Sequence, residues 1–318
     1  LENVTHSFTG LFLSHAGLNR FTPNATLLLV LAANAPDIDI LALAAGQANY
    51  FQFHRHLTHS LVSAPVLAMV LVAAFRLLGR KPFPLLPALL VALAGVLSHL
   101  LLDLTNNYGI RLLLPFSGNW LAWDLTAIYD FWIWSFYAVC LAAPILSKLV
   151  GGEIGAPRRS LYPSRFMPCA ALAFLLLYDG GRALLHARAL AVLNAFEYGG
   201  APARRVAAFP NPSNPFRWQG VAESSAAYRI YDVDLFGPFN PVRGETVFKA
   251  DTTPDVQAAN RTEPFRILLD FSRFPVWRQI PLETGSHVIL SDIRFPFYSE
   301  AEIDRTGKIA ASSFHFSR

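Results

Sequence analysis

The stretch FPLLPALLVALAGVLSHLLLDL, residues 83–104, decides how this chain is to be read. About 20 predominantly apolar residues suffice to cross a bilayer as a helix, and this run has that length with almost no polar side chain. Its two ionisable exceptions are informative. His99 and Asp103 are four residues apart, so a helix sets them on one face. Ionisable groups inside a span are costly, need partners, and commonly mark function. The stretch therefore predicts a membrane helix that carries part of a polar site. A buried His–Asp pair that only fixes helix packing is the plainer alternative.

The rest of the chain agrees with a membrane setting. Of 318 residues, 53% are hydrophobic and only 15% charged, and the mean hydropathy is +0.35. Soluble domains usually carry about 25% charged residues. The formal net charge is +4, without a basic stripe interleaved with aromatics. Nucleic acid is thus set aside as a partner, and the lipid bilayer takes its place. Cys140 and Cys169 both sit in apolar runs and read as small buried hydrophobes rather than a disulfide or a CxxC motif. The opening LENVTHSFTG lacks the basic start and long apolar core of a cleavable signal peptide.

Four further apolar segments qualify by length: 25–46, interrupted by Pro36 and two aspartates, 57–79, 125–150 and 165–190. Residues 3–19 are short and amphipathic. From about residue 200 the apolar runs shrink, and Asn-Pro and Gly-Pro turn signals multiply. Segments 228–236, 264–274 and 287–297 read as strands with partial alternation. The expected fold is an α-helical integral membrane domain of about five to six apolar helices, residues 1–195, followed by a small β-rich soluble domain, residues 196–318.

Cations set the expected orientation. Arg20, Arg76, Arg80 and Lys81, and then Lys148, Arg158, Arg159 and Arg165, fall in three connections that share one side if residues 3–19 cross. The positive-inside rule makes that side cytoplasmic. The opposite face then receives His6, the aspartates of PDID, His54 to His59, His99 to Asp103, Asp124 and the C-terminal domain.

The chain has nine histidines, three of them in FHRHLTHS, residues 53–60. Pro36 disfavours helix before it; if residues 36–39 are extended, Asp37 and Asp39 point the same way. Two adjacent carboxylates repel unless a cation lies between them. Mixed His and carboxylate donors suit Zn²⁺, Mn²⁺ or Fe. The candidate ligands are His6, Asp37, Asp39, His54, His59, His99, Asp103 and Asp124. That is more than one closed zinc site needs, so either two ions or one ion with a separate base is expected. Asp39 or Asp103 would serve as base. Arg55, a planar five-donor group, would neutralise an anionic substrate or bind lipid headgroups. Asp124 alternatively caps a helix, with Asp130 deeper in the span.

The order Thr5-His6, Pro36-Asp37-Ile38-Asp39, His54-Arg55-x-x-Thr58-His59-Ser60 and Ser98-His99-x3-Asp103 resembles the YdjM/YbcI-type family of predicted bacterial inner-membrane metal-dependent hydrolases. It covers about the first 135 residues. The resemblance implies that His54 and His59 are the two motif histidines of that element, with His56 at a variable position. A weaker likeness to zinc-dependent phospholipase C favours phosphoesters. The expected activity is metal-dependent hydrolysis of a phosphoester or ester in an amphiphilic or phosphorylated substrate at a bacterial inner membrane. The alternative is a metal-ion or proton-coupled transporter, against which the lack of an internal repeat speaks.

Overall fold

The computed structural model describes residues 1–79, 83–153, 164–250 and 253–316. The basic turn Arg80-Lys81-Pro82 and the cations Arg158 and Arg159 lie outside the described residues.

The helical part opens with α1 (Asn3–Ala16) and α2 (Ala25–Ala32), followed by a 3-10 segment, Ala35–Ala45. After α3 (Gln47–Phe53) comes a single 3-10 turn, Leu57–His59, and then α4 (Ser63–Leu78), α5 (Leu85–Thr105), α6 (Phe131–Glu153) and α7 (Phe166–Asn194). Among the described residues three helices are long and apolar enough to cross a membrane, namely Leu85–Thr105, Phe131–Val150 and Phe166–Asn194. Up to five spans result if two bent pairs each count as one: α2 with the 3-10 segment, bent by 49°, and Gln47–His59 with α4, bent by 87°. At 14 residues, α1 extends about 21 Å and falls short of the ~30 Å hydrocarbon core.

The central helix is α5. Its apolar window is 44% buried, against 17% for α6 and 22% for α7, so the outward faces of α6 and α7 present leucines such as Leu149, Leu176, Leu177 and Leu184 to their surroundings. These faces are what lipid would cover. Against the inner face of α5, Ala88, Ala92 and Val96 pack with Leu28, Leu29 and Ala32 of α2 and Ala64, Ala68 and Val72 of α4. Small residues set the spacing. A Cβ on Gly95 would stand 2.7 Å from Ala32 Cβ, and one on Gly10 would stand 2.8 Å from the Leu29 carbonyl oxygen. Both α5 and α1 thus press onto α2, as small residues permit in membrane bundles.

The C-terminal part is two antiparallel meanders of four strands joined by two short helices. The first comprises β1 (Arg205–Pro210), β2 (Arg217–Glu223), β3 (Ala227–Asp234) and β4 (Glu245–Phe248), with Val221 opposite Ile230. Helices α8 (Pro254–Ala259) and α9 (Glu263–Phe271) lead to β5 (Pro275–Leu282), β6 (Gly285–Asp292), β7 (Phe295–Asp304) and β8 (Ile309–His315), with Val288 opposite Ala301. Each meander is tied to the helices by its own core. Ala189 and Leu193 of α7 pack with Ala208, Trp218 and Val233. Phe51 of α3 and Tyr108 join Phe265, Leu268, Phe271, Val288 and Leu290. Burying one such aromatic contributes about 1.5–3 kcal/mol.

Four expectations need correction. Residues 264–274 are not a strand: Pro264 sits in the first turn of α9, and Phe265, Leu268 and Phe271 recur at helical spacing on its buried side. Residues 287–297 contain a turn between β6 and β7 rather than one strand. The fourth apolar segment becomes helical only at Phe131; Asp124 and Asp130 precede it. Here Asp130 is the cap, its Oδ1 accepting from the backbone N–H of Trp132 (3.1 Å) and Ile133 (3.3 Å). Cys140 is buried as expected, whereas Cys169 lies on an exposed face of α7.

Because a Cβ at Gly95 has no space, Gly95→Val should destabilise the bundle by about 1–3 kcal/mol, lowering the apparent melting temperature in detergent. Gly180→Val, where nothing lies within 4 Å of an added Cβ, should change it little.

Candidate metal centre

Three segments deliver the polar residues to one end of the bundle. Helix α5 presents His99 and Asp103, both fully buried. The 3-10 segment presents Asp37 and Asp39. It is helical rather than extended, so simple alternation does not describe it; eleven residues is long for this conformation, which usually runs three or four. The third segment is the bend after α3. Arg55 has φ 58°, a left-handed conformation that costs a non-glycine residue about 1–2 kcal/mol. The reversal is held from both sides: Arg55 N–H donates to Asp39 Oδ2 (2.9 Å), and the Arg55 carbonyl accepts from Arg111 N–H (3.2 Å). It turns His54 and His59 toward the aspartates.

Asp37, His59, His99 and Asp103 then converge, with one donor atom from each lying within 4.8 Å of the other three. His59 Nε2 is 3.1 Å from His99 Nε2, 3.3 Å from Asp37 Oδ1 and 3.5 Å from Asp103 Oδ2. His99 Nε2 is 3.6 Å from Asp37 Oδ1 and 3.4 Å from Asp103 Oδ2. A tetrahedral ion with bonds of about 2.0–2.1 Å has donor-to-donor edges of roughly 3.3–3.4 Å. Five measured edges fall close to that value.

The surrounding bonds aim these donors inward. His99 Nδ1 lies 2.7 Å from the Ala33 carbonyl, so it carries the proton and leaves the Nε2 lone pair facing the centre. His59 Nδ1 is 3.1 Å from Thr58 Oγ1 and 3.3 Å from Asp39 Oδ2, with the same consequence. Asp103 Oδ1 accepts from Arg55 Nη2 (3.0 Å) and Asn106 Nδ2 (3.1 Å), and also meets the Leu1 amine. Asp103 Oδ2, on the inner side, is buried without a hydrogen bond among the described residues. A buried carboxylate oxygen with no donor is what a cation would satisfy. The two-histidine, two-carboxylate set fits a divalent transition metal.

A second group, Asp37, Asp39 and His54, shares Asp37 with the first and also has its donor atoms within 4.8 Å of one another. Asp39 Oδ1 lies 3.1 Å from His54 Nδ1. Two of its members, Asp37 and His54, line a cavity of about 160 Å³, whose walls also include Glu2, Ile40, Tyr50, Arg55, Tyr108 and Tyr129. Of the first group, only Asp37 reaches that cavity.

The other expected site residues fall around these groups. His6 stacks on His99 with ring centroids 3.8 Å apart, and its Nε2 is 3.4 Å from Asp103 Oδ1; it belongs to neither group. Arg55 is buried, bonds Asn106 Oδ1 (3.1 Å) and lies over the Tyr108 ring at 4.8 Å. Its Nε has no partner among the described residues. His56 turns away toward Arg111 Nη1 at 3.3 Å. Asp124 is outside the cluster: one nitrogen of Arg273 bonds both its oxygens, at 2.8 and 2.9 Å. Burial pushes the Asp124 carboxyl above its ordinary pKa, with Arg273 opposing. Its role is to tie the 106–130 loop to the strand-rich part.

Asn106 was not among the expected residues. Its Oδ1 accepts from Arg55, from Tyr108 N–H (2.8 Å) and from Gly109 N–H (3.2 Å), while its amide holds Asp103. The signal was an Asn three residues beyond Asp103, before a Tyr-Gly turn. Gly109 has φ 84°, and a Cβ there would stand 2.7 Å from the Leu121 carbonyl.

Fold and site together define an integral membrane protein with a buried His/Asp cluster at one end of its helices. The chain belongs to the YdjM inner membrane protein family, whose model matches residues 1–189; every residue of both donor groups lies in that range. It is also 31% identical over 140 residues to the uncharacterized protein YfhP of Bacillus subtilis (strain 168), a match covering 44% of this chain. The chain spans 41% of that relative's length. No solved structure matches.

Removing the amide that holds Asp103 should loosen the centre. Asn106→Ala is expected to weaken divalent-metal affinity by about 10–100-fold, read by competition with a chelator, with helical circular dichroism unchanged.

Proposed function

We propose that this protein is a membrane-embedded metal-dependent hydrolase of a phosphoester or ester in an amphiphilic substrate. The observation that carries this reading is the convergence of Asp37, His59, His99 and Asp103 next to a cavity that Arg55 also lines. A bound transition metal such as zinc supplies water activation near neutral pH and polarises a substrate oxygen.

The chain's own groups do the rest. Asp103 and Asp37 are donors at the centre, and Asp39 Oδ2 orients His59. Arg55 spends its two terminal nitrogens on Asp103, Asn106 and the Leu1 carbonyl. Its Nε is left for an anionic oxygen, which favours a phosphoester over a neutral ester. The cavity admits a small headgroup rather than a whole lipid. Beside it the 3-10 segment exposes Ile38, Ile40 and Leu41, the last at 71%, a surface suited to an acyl chain arriving within the bilayer.

We place this end on the non-cytoplasmic side. The exposed cations Arg20, Arg76, Lys148 and Arg165 lie at the opposite ends of their helices, as the positive-inside rule requires of a cytoplasmic face. Arg55, Arg111, Arg182 and Arg294, on the site side, are buried.

The test is hydrolysis of amphiphilic phosphomonoesters, phosphodiesters and carboxylic esters by the purified, metal-loaded protein in detergent. Release of product from the phosphoesters, abolished by chelation and restored by metal, is expected. Arg55→Lys should lower kcat/KM by about 10²-fold or more. Less than one equivalent of metal per chain after loading would remove the basis of the proposal.

A further inference from the structure

We infer that the centre holds two cations, the second bound by Asp37, Asp39 and His54 on the cavity side of the first, and that this outer ion enters together with a phosphate-bearing substrate. The inference rests on the metal-dependent reading above and deepens it.

The two donor groups differ in a way that assigns them different tasks. The inner group offers four donors, three on fully buried residues, and five of its six edges, 3.1 to 3.6 Å, are near tetrahedral length. An ion with four protein donors takes water or substrate only by expanding to five ligands, whereas three protein donors leave a position open. The outer group offers three donors, and two of its residues, Asp37 and His54, line the cavity. Asp37 belongs to both, as a carboxylate bridging two ions would. Two-ion sites of this kind place their ions about 3.5–4 Å apart.

Charge decides when the outer ion is held. The two groups contain three carboxylates, Asp37, Asp39 and Asp103. One dication together with the Arg55 guanidinium balances them, the histidines being neutral donors and the Leu1 amine at Asp103 offsetting the Glu2 carboxylate on the cavity wall. Glu2, the remaining carboxylate on the cavity wall, is committed to the N-terminus of α1 and to Trp134 Nε1. A second dication therefore leaves about two uncompensated positive charges in a largely buried site, which is costly. A phosphomonoester, at nearly two negative charges, removes that cost. By reciprocity, phosphate tightens the outer ion as much as the outer ion tightens phosphate.

The experiment loads the full-length protein in detergent with Mn²⁺, with and without inorganic phosphate. It measures bound metal by elemental analysis and electron paramagnetic resonance. Expected are one tight equivalent and one weaker by about tenfold or more, the weaker tightened about tenfold by phosphate. At two equivalents the spectrum should be that of an exchange-coupled pair. His54→Ala should keep the tight equivalent and lose the second, the coupling and the phosphate effect. A single equivalent with an uncoupled spectrum in saturating phosphate overturns the inference and leaves the inner centre standing. No bound metal at all overturns the metal-dependent reading itself. Two equivalents without coupling, or two retained in His54→Ala, place the second ion elsewhere and also overturn it. If His54→Ala does not fold, the wild-type spectrum alone decides.

Discussion

Two carboxylates and two imidazole nitrogens face one another in a largely buried space, and the rest of the helical part is arranged around that constraint. In a low-dielectric interior, like charges repel far more strongly than in solution, and imidazole lone pairs have nothing to accept from one another. Such an arrangement persists only if a cation completes it or if the scaffold forces it. The scaffold contributes visibly. Gly95 and Gly10 let α5 and α1 close on α2, which puts the Ala33 carbonyl against His99. The left-handed turn at Arg55 bends the chain so that one short segment supplies His54, Arg55 and His59.

The strand-rich part is an extension of this scaffold rather than a passenger. Its arginines reach the loop between α5 and α6: Arg273 holds Asp124, Arg294 Nη1 donates to the Asn107 carbonyl (3.2 Å), and Asp270 pairs with Arg111. Aromatic rings continue the connection, with Tyr108 4.6 Å from Phe271 and Phe51 5.0 Å from Phe271. Since Asn106 precedes Tyr108 and holds Asp103, the loop that these contacts fix is the loop that sets the carboxylate.

The sequence made the site far more legible than the tail. His99 and Asp103 announced themselves because nothing else in their leucine run is ionisable, and His59 and Asp37 because each lies beside an apolar span. Their convergence could be anticipated from charge placement alone. Helix α9 was misread because a nine-residue amphipathic helix and a strand share an apolar density, and only the Pro264 position separates them. Asp124 was grouped with the ligands because its depth resembles theirs; its partner, Arg273, lies 149 residues away, beyond any local pattern. Asn106 escaped because a neutral amide in a turn is ordinary until its bonds are seen. The eleven-residue 3-10 segment has no reliable signature at all.

Helix α7 runs unbroken for 29 residues, about 43 Å, and its last turns are packed into the first meander while its start lies at the opposite end of the bundle. A bilayer's hydrocarbon takes up about 30 Å of that length. The remainder is a rigid post that fixes the height of the sheets over the headgroups.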